Sequence, residues 1–451
     1  MSKLNLTEKL AKKEGKKANG FLYWALGNII AKTNSRKMNL TVIDNVGVKK
    51  IEGPYILVSN HTSRCDWQYL ATAMWPNKMN FVASYTEFHR AHLHFIFDLM
   101  NVIPKRNFVS DTHTIKMIMQ VVKKGGNVVF FPEGKSSISG TNQPVMPGTA
   151  KLFKHLNVPV YSATIRGGYM SNTQWNIKDR PGKVEVTINK LFTPEETQSL
   201  SVEEMDRMTN EAIWNDDFVW NEDGRIHYNK ADDLADKLET HLFWCPKCLK
   251  ELSQKGKGTL FTCNECGNSV KIADNYKLVP QTETAVVPKN LRVWYELQRR
   301  NIYREIKNNP DFVLVEENVK LGLQPNDHYV DKSIEAEVVG EGTITLSRDE
   351  FSYVGTAKGE PYEVHLKMQN VYSMVMPCDS TTFGCFVNGH YHEFVPTRPV
   401  VTKWILAIEE VHRAIGGKWQ NTIPQQQWIY SDDNNPIDCY LDGFGPEKET
   451  V

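Results

Sequence analysis

The sequence lacks a surplus of charge of either sign, because its 451 residues carry 53 Lys and Arg against 53 Asp and Glu. Bulk charge therefore gives no indication of a nucleic-acid partner, and we expect none. Apolar residues make up 41% of the chain and charged residues 24%. This globular composition excludes a mainly disordered, collagen-like or coiled-coil protein. The length predicts two or three domains.

Long apolar runs are also missing. Residues 1–17 contain no apolar core before a small-residue cleavage site, so we expect no secretory signal. The most apolar early stretch, residues 20–30, is shorter than the ~20 residues that a membrane-spanning helix needs. It follows a lysine-rich segment, and a basic segment joined to an aromatic helix is typical of a helix lying in the membrane interface. A first helix packed on its own domain is the alternative.

Cysteine is scarce, with eight in the whole chain, which does not suggest a disulfide scaffold. Four of the eight form two Cys-x-x-Cys pairs, Cys245 with Cys248 and Cys263 with Cys266, separated by fourteen residues. This spacing predicts a zinc ribbon, in which four thiolates close a structural Zn²⁺ site. Iron in a rubredoxin-like site is the alternative. Metal-binding pairs of this kind fit a reducing cytoplasm.

The first 240 residues alternate strand-like apolar runs with helical patterns. The predicted strands are residues 55–58, 81–83, 127–131, 158–161 and 184–188, and the helical patterns include residues 66–75 and 112–124. Strands alternating with helices predict an α/β domain with a mixed sheet flanked by helices. Residues 201–243 are acidic, and we expect them to be helical and to close this domain.

The rest of the chain divides into shorter units. We predict a zinc ribbon at 241–275, a helical linker at 276–330, a β-rich module at 331–418 and a loose tail at 419–451. The β-rich module is closed by a predicted helix at 399–415. By its shape alone, this module resembles the pleckstrin-homology/GRAM type.

A histidine and an aspartate five positions apart, His61 and Asp66, follow the first predicted strand. Turns between strands and helices are places where ligands bind. A neutral imidazole can take a proton from a hydroxyl near pH 7, and a nearby carboxylate stabilises the imidazolium that forms. The spacing alone is not specific, because His227 and Asp232 share it. A structural histidine beside a helix-capping aspartate is the alternative reading.

A second motif, residues 131–137, ends a very apolar strand with the sequence Phe-Pro-Glu-Gly-Lys-Ser-Ser. Gly134 permits a close approach of the backbone to a ligand, and Lys135 with its neighbouring hydroxyls suits a phosphate. Between the two motifs, residues 101–106 end another apolar segment in the basic pair Lys105 and Arg106.

Taken in order, these segments resemble the glycerolipid acyltransferases, the phospholipid/glycerol acyltransferase family. The family's first block, Asn-His-x-Ser-x-x-Asp, matches residues 60–66. Its second block ends in an arginine, here Arg106, and its third, Phe-Pro-Glu-Gly-Thr-Arg-Ser, is similar to residues 131–137. Its fourth block centres on a proline, here Pro159. The resemblance covers about residues 35–200.

The sequence departs from the family pattern at two blocks. Lys135 and Ser136 stand where the family usually has Thr and Arg, so the positive charge is moved by one residue and loses the bidentate geometry of a guanidinium. Pro104 and Lys105 replace an apolar pair, and Asn101 replaces a common glycine. These changes put the acceptor in question more than the reaction.

The resemblance implies acyl transfer from acyl-CoA or acyl carrier protein to the free hydroxyl of 1-acyl-glycerol 3-phosphate, which gives phosphatidate for phospholipid biosynthesis. It implies that His61 is the general base and that Asp66 orients it. Arg106 and Lys135 would hold the acceptor phosphate. The remaining residues expected to shape the substrate pocket are Glu133, Gly134 and Ser137.

The expected partners are therefore a lysophospholipid, an acyl donor and, by peripheral contact, membrane lipid. We expect the protein in the cytoplasm, on the inner face of the cell membrane. Two alternatives stay open. The acceptor could be glycerol 3-phosphate or another lysophospholipid, or the chain could be an inactive acyltransferase-like scaffold for membrane or protein interactions.

Overall fold

The computed structural model describes residues 5–417 and 424–431. Its N-terminal half is built on a seven-stranded sheet in the order β1-β7-β6-β2-β5-β3-β4. The strands are β1 (Leu40–Asp44), β2 (Ile56–Ser59), β3 (Met79–Ser84), β4 (Ile103–Lys105), β5 (Asn127–Phe130), β6 (Val160–Arg166) and β7 (Val184–Phe192). Strands β2 to β6 run parallel, whereas β7 is antiparallel to β6 and parallel to β1. The five parallel strands therefore end at one edge of the sheet, where ligands bind in open α/β sheets.

Helices cover both faces of this sheet. The helices of this half of the chain are α1 (Leu6–Ala11), α2 (Gly20–Leu26), α3 (Lys32–Lys37), α4 (Asp66–Ala73), α5 (His94–Leu99), α6 (Thr112–Lys123), α7 (Thr149–Leu156), α8 (Gly168–Ser171), α9 (Pro194–Ser199), α10 (Val202–Ile213) and α11 (Asp217–Trp220). Strand β2 is buried throughout, and its side chains alternate between two apolar cores. Leu57 packs with Tyr69 of α4 on one face, and Val58 packs with Met117 of α6 on the other.

The predicted fold class, a mixed α/β sheet flanked by helices, is confirmed. Each of the five predicted strands falls on an observed strand. The expectation of helix through residues 201–243 is wrong for residues 221–237, which contain no helix. The chain turns at Gly224, which has a left-handed φ of +70°, and the Asn221 side chain bonds the backbone of Ile226 in place of a helical partner.

Two antiparallel sheets follow. The first, ordered β11-β10-β9-β8, contains β8 (Gln254–Lys257), β9 (Leu260–Cys263), β10 (Ser269–Ile272) and β11 (Leu278–Pro280). Helix α12 (Leu291–Asn308) leads into the second, ordered β15-β14-β13-β12-β17-β16. Its strands are β12 (Val313–Leu323), β13 (Glu337–Ser347), β14 (Glu350–Ala357), β15 (Glu360–Lys367), β16 (Phe383–Val387) and β17 (His390–Val395). Helix α13 (Val401–Ala414) and a 3-10 helix (Pro424–Tyr430) close the described chain.

The β-rich module begins earlier than predicted. Strand β12 lies inside residues 276–330, the predicted helical linker, yet it pairs with both β13 and β17. The predicted loose tail at 419–451 lies mostly outside the described residues, and its described part contains the 3-10 helix. Among the described residues, no helix combines the length and the apolar character needed to cross a membrane.

One apolar core joins the N-terminal domain to the rest of the chain. It runs from Ile138 and Trp175 through Phe261 of β9 to Trp294 of α12 and Trp404 of α13. Because these side chains pack in one cluster, the β-rich module shares buried surface with the domain that carries the motifs.

Candidate active site

The structure brings His61 and Asp66 together on the turn between β2 and α4. Their side chains join His61 Nδ1 to Asp66 Oδ2 at 2.8 Å. The Asp66 carboxylate is buried and also accepts hydrogen bonds of 2.6–3.0 Å from the amides and hydroxyls of Thr62 and Ser63. A carboxylate facing Nδ1 favours a proton on that nitrogen, which leaves Nε2 free to accept one.

Asp66 does not serve as a helix cap. It is the first residue of α4, and the N-cap position belongs to Cys65, whose side chain makes no cap bond. The Asp66 carboxylate turns back toward the preceding residues, so that one aspartate holds both the turn and the imidazole. This arrangement fits an orienting carboxylate better than the capping alternative.

Three further contacts hold His61 in place. Its ring stacks on Phe131, with the ring centroids 4.1 Å apart. Its amide donates to Glu133 Oε1 at 2.7 Å, and its carbonyl accepts from the Ser137 amide at 2.7 Å. The first and third motifs are thus bonded to each other. The His61 side chain keeps 25% of its surface exposed, so a substrate can reach it.

Glu133 braces this turn. Its buried carboxylate accepts from the amides of His61 and Gln143 and from the Asn142 side chain at 2.6–3.2 Å. Burial raises the pKa of Glu133 to about 8, against the Gln143 and His61 amides, which favour the ionised form. Its part in shaping the substrate pocket stays a prediction.

Gly134 and Ser137 shape the loop of the third motif. Gly134 has a φ of +79°, and a Cβ there would lie 3.2 Å from Met146 and 3.4 Å from Phe108, so a side chain would be strained and crowded. Ser137 Oγ donates to the Thr141 carbonyl and accepts from an amide within its own turn. Both residues fix the backbone conformation of the loop. Their expected part in shaping the substrate pocket stays a prediction.

Arg106 follows β4 at the same edge of the sheet. Its guanidinium carbon lies 4.6 Å from the centre of the Tyr85 ring, in the 3-10 turn after β3. Within residues 5–417 and 424–431, the guanidinium forms no ion pair with a carboxylate, and its buried Nε has no hydrogen-bond partner. A half-buried cation of this kind can receive an anion.

Lys135 has a different environment from the one the motif predicts. Its buried ammonium forms an ion pair with Glu409 of α13 and donates to Ser373 Oγ at 3.3 Å. Glu409 also binds Arg299 at 2.7 Å. The structure therefore assigns the charge of Lys135 to a buried protein carboxylate rather than to an open phosphate site.

Sequence reasoning missed three groups that support the site. Phe131 belongs to the third motif, but nothing in the sequence indicates that its ring stacks on His61. Asn60 in the first block bonds both the amide and the carbonyl of Ile165 in β6, at 2.7 and 2.8 Å. Tyr85 stands in no motif. Its position after a parallel strand is the signal that could have found it.

The four predicted metal ligands form a separate cluster. The sulfur atoms of Cys245, Cys248, Cys263 and Cys266 all lie within 4.8 Å of one another. The Cys245–Cys266 and Cys248–Cys263 distances are both 3.7 Å. Four thiolates about 2.3 Å from a tetrahedral zinc ion would stand about 3.8 Å apart, so the cluster fits Zn²⁺.

Comparison with known proteins finds similarity within the N-terminal domain. Residues 27–166 match the family model described as Acyltransferase. The chloroplastic 1-acyl-sn-glycerol-3-phosphate acyltransferase BAT2 of Brassica napus is 31% identical over 116 residues, which are 25% of this chain and 33% of that protein. The matched residues contain all four blocks of the sequence analysis, and the chain spans about a third of the length of this curated relative.

A solved structure is also similar. The crystal structure of the 1-acyl-sn-glycerophosphate (LPA) acyltransferase PlsC from Thermotoga maritima aligns with a TM-score of 0.36 and 20% sequence identity. The alignment covers 42% of this chain and 78% of that chain. This similarity is too low to establish a shared fold by itself.

Proposed function

We propose that this chain transfers a fatty acyl group from a thioester of coenzyme A or acyl carrier protein to the free hydroxyl of 1-acyl-glycerol 3-phosphate. The product is phosphatidate, an intermediate for phospholipid biosynthesis. The observation that carries the proposal is the His61–Asp66 pair at 2.8 Å, inside the segment that matches the family model. The activity in the name of the Brassica napus relative supports the choice of acceptor.

In this reaction, His61 Nε2 takes the proton of the acceptor hydroxyl as its oxygen attacks the thioester carbonyl. Asp66 stabilises the imidazolium that forms. The carbon–sulfur bond then breaks, and the imidazolium returns the proton to the departing thiolate. The acceptor itself is the nucleophile, so no acyl-enzyme is required. Burial raises the pKa of the Cys65 thiol to about 12, which disfavours a thiolate nucleophile there.

Arg106 is the residue that we propose for the acceptor phosphate. It is a cation without a carboxylate partner among the described residues, at the sheet edge that carries His61. We do not assign this role to Lys135, because Glu409 already neutralises its charge. We further propose that the Cys245–Cys266 cluster holds a structural Zn²⁺, since four thiolates leave no open position for a substrate.

We also propose that the protein works at the cytoplasmic face of the cell membrane through peripheral contact. Phe21 of α2 is 73% exposed, and Ile29, in the π-helical turn between α2 and α3, is 66% exposed. Lys16 and Lys17 precede this apolar surface. Apolar side chains beside basic ones suit an anionic lipid surface.

The test is transfer of a labelled acyl group to lysophosphatidate from acyl-CoA and acyl carrier protein in parallel. We expect His61→Ala and Asp66→Asn to lower kcat by about 10²–10⁴-fold. His227→Ala is the matched control, because His227 forms an exposed 2.8 Å pair with Asp274. If folded wild-type protein forms no product with lysophosphatidate, other lysolipids or glycerol 3-phosphate, the enzymatic proposal is wrong and the scaffold alternative is favoured.

A further inference from the structure

A cavity of about 320 Å³ lies between the N-terminal domain and the β-rich module. One wall is the segment directly after Arg106, and the other walls come from β15, β16 and the residues between them. Most of the lining is apolar. The apolar side chains are Phe108, Val109, Leu366, Val371, Met374 and Phe386.

The cavity adjoins the candidate active site through the loop of the third motif. Asn107, which lines the cavity, donates from its side chain to the Gly134 carbonyl at 2.9 Å. The Phe108 ring also lies against Gly134, 3.4 Å from the position that a Cβ would take. The other end of this loop bonds His61 through the Ser137 amide. One short loop therefore contacts both the proposed base and the cavity wall.

Two polar residues of the lining, Asn107 and Ser373, already have partners. The Asn107 amide is bonded to Gly134, and Ser373 accepts from Lys135 and donates to Glu409. Burial raises the pKa of the Cys385 thiol to about 12, so that thiol is neutral. The lining also includes two exposed basic residues, Lys367 and His365, of which His365 pairs with Glu350 at 2.8 Å. The buried part of the lining therefore offers apolar surface and polar groups that already have partners, which suits an apolar chain.

We propose that this cavity holds a fatty acyl chain of one of the two substrates. The choice of occupant rests on the proposed function, since both the acyl donor and a lysolipid acceptor carry such a chain. The volume falls within the range of small-molecule sites, about 300–1,000 Å³, and the mostly apolar lining is typical of them. The β-rich module then contributes directly to the selection of chain length, because it supplies most of the cavity wall.

Binding of a fluorescent fatty acid tests the cavity without turnover. Full-length protein is titrated with cis-parinaric acid, and its affinity is compared with that of Val109→Trp and Leu366→Trp. Both positions are half-buried, so the larger ring can narrow the cavity without filling a closed core. Two variants are used because one of them can then test the cavity if the other fails to fold. Val354→Trp, on an exposed face of β14, is the control. We expect at least about a tenfold weaker affinity in the two cavity variants and no change in the control.

Turnover then identifies which chain occupies the cavity. The length of the acyl chain is varied in acyl-CoA with one lysophosphatidate, and then in lysophosphatidate with one acyl-CoA. We expect Val109→Trp to shift the preference toward shorter chains in one of the two series. That series identifies the occupant as the donor chain or the acceptor chain.

The outcomes separate this inference from the proposed function. Acyl transfer by the wild type, with no parinarate binding and unchanged length profiles in the variants, would overturn the cavity proposal alone. Equal parinarate affinity in wild type and folded cavity variants would also overturn it. Parinarate binding that Val109→Trp weakens, in a protein that transfers no acyl group to any acceptor, would support the cavity and overturn the proposed function.

Discussion

Lys135 and Glu409 form a buried ion pair that joins the third motif to the last helix, α13. Arg299 of α12 binds the same carboxylate at 2.7 Å, and its other branch binds Glu410 at 2.7 Å. Burial lowers the pKa of Lys135, and Glu409 opposes that shift. Burial would also raise the pKa of Glu409, but Lys135 and Arg299 together lower it to about 2. The carboxylate therefore stays ionised and bridges two helices and the motif.

Lys135→Met tests whether this lysine stabilises the fold or binds substrate. Removing one partner of a buried pair costs about 3–5 kcal/mol, so we expect a lower midpoint in urea unfolding. We expect little change in the KM for lysophosphatidate, measured well below the transition. Lys289→Met is the control, because its pair with Glu222 is exposed and is worth less than about 1 kcal/mol. A large rise in KM with unchanged unfolding would instead assign Lys135 to the phosphate.

Glu133→Gln tests the brace beneath His61 through its pH dependence. In wild type, the folded carboxyl keeps its proton to about pH 8, whereas the unfolded one loses it near its ordinary pKa of about 4.3. The folded chain therefore binds more protons in this window, and stability from this group falls as pH rises from about 4.3 to about 8. The amide does not titrate, so we expect a smaller decline in the variant.

The same substitution should also affect catalysis. The amide offers one acceptor oxygen to the backbone N–H groups of His61 and Gln143, so one of these loses its acceptor and faces an N–H, at a cost of about 1–3 kcal/mol. We expect kcat to fall because both bonds hold the turn that carries His61. Urea unfolding across this pH range and steady-state kinetics measure the two effects. Glu203→Gln, on the exposed side of α10, should change neither. Identical pH profiles for wild type and Glu133→Gln would contradict the assignment.

The parts of the site that follow strands could be predicted from the sequence. An apolar run followed by a turn places His61 after β2 and Glu133 after β5, and parallel strands bring such turns to one edge. Strand β4 escaped detection because it has three residues, one of them Pro104. Strand β12 also escaped detection, because the alternation of inward and outward side chains along it shifts at a bulge between Glu316 and Val319.

The partner of Lys135 could not be predicted in the same way. Glu409 lies 274 positions further along the chain, on helix α13, where residues 404–412 are all buried. Which surface each side of this helix covers depends on how the shared core packs, and no local pattern carries this information. For the same reason the motif predicted an open phosphate site at Lys135. Arg106, with no carboxylate partner among the described residues, is the cation that we propose for the phosphate.

Arg106→Met tests the proposed phosphate contact. A lost charge-assisted hydrogen bond is worth about 1.5–3 kcal/mol, so we expect the KM for lysophosphatidate to rise about 10- to 100-fold with kcat little changed. The KM of Arg106→Lys should lie between those of the wild type and Arg106→Met, because an ammonium keeps the charge but cannot bind a phosphate through two parallel hydrogen bonds. Arg64→Met is the control, since Arg64 lies in the first block but pairs with exposed Asp179. An equal loss with monoacylglycerol, which has no phosphate, would rule out this role.

The apolar surface around α2 gives a prediction for membrane contact. Phe21→Ser and Ile29→Ser should each weaken co-sedimentation with vesicles of phosphatidylglycerol by about tenfold or more, because a buried apolar side chain contributes about 1.5–3 kcal/mol. Val313→Ser removes a side chain that is 56% exposed on strand β12 of the β-rich module and should change nothing. Vesicle binding that survives both N-terminal substitutions would place the lipid-binding surface elsewhere.

Metal content tests the four-cysteine cluster. We expect about one zinc per chain by elemental analysis, and its loss in Cys263→Ser. Removal of the metal should lower the melting temperature of the whole protein, because Phe261 and Val270 of the ribbon pack in the same core as Trp294. Cys378→Ser, outside the cluster, should keep both metal and melting temperature. Visible absorption with bound iron would favour the rubredoxin-like alternative, and a metal-free protein with an unchanged melting temperature would contradict a structural metal.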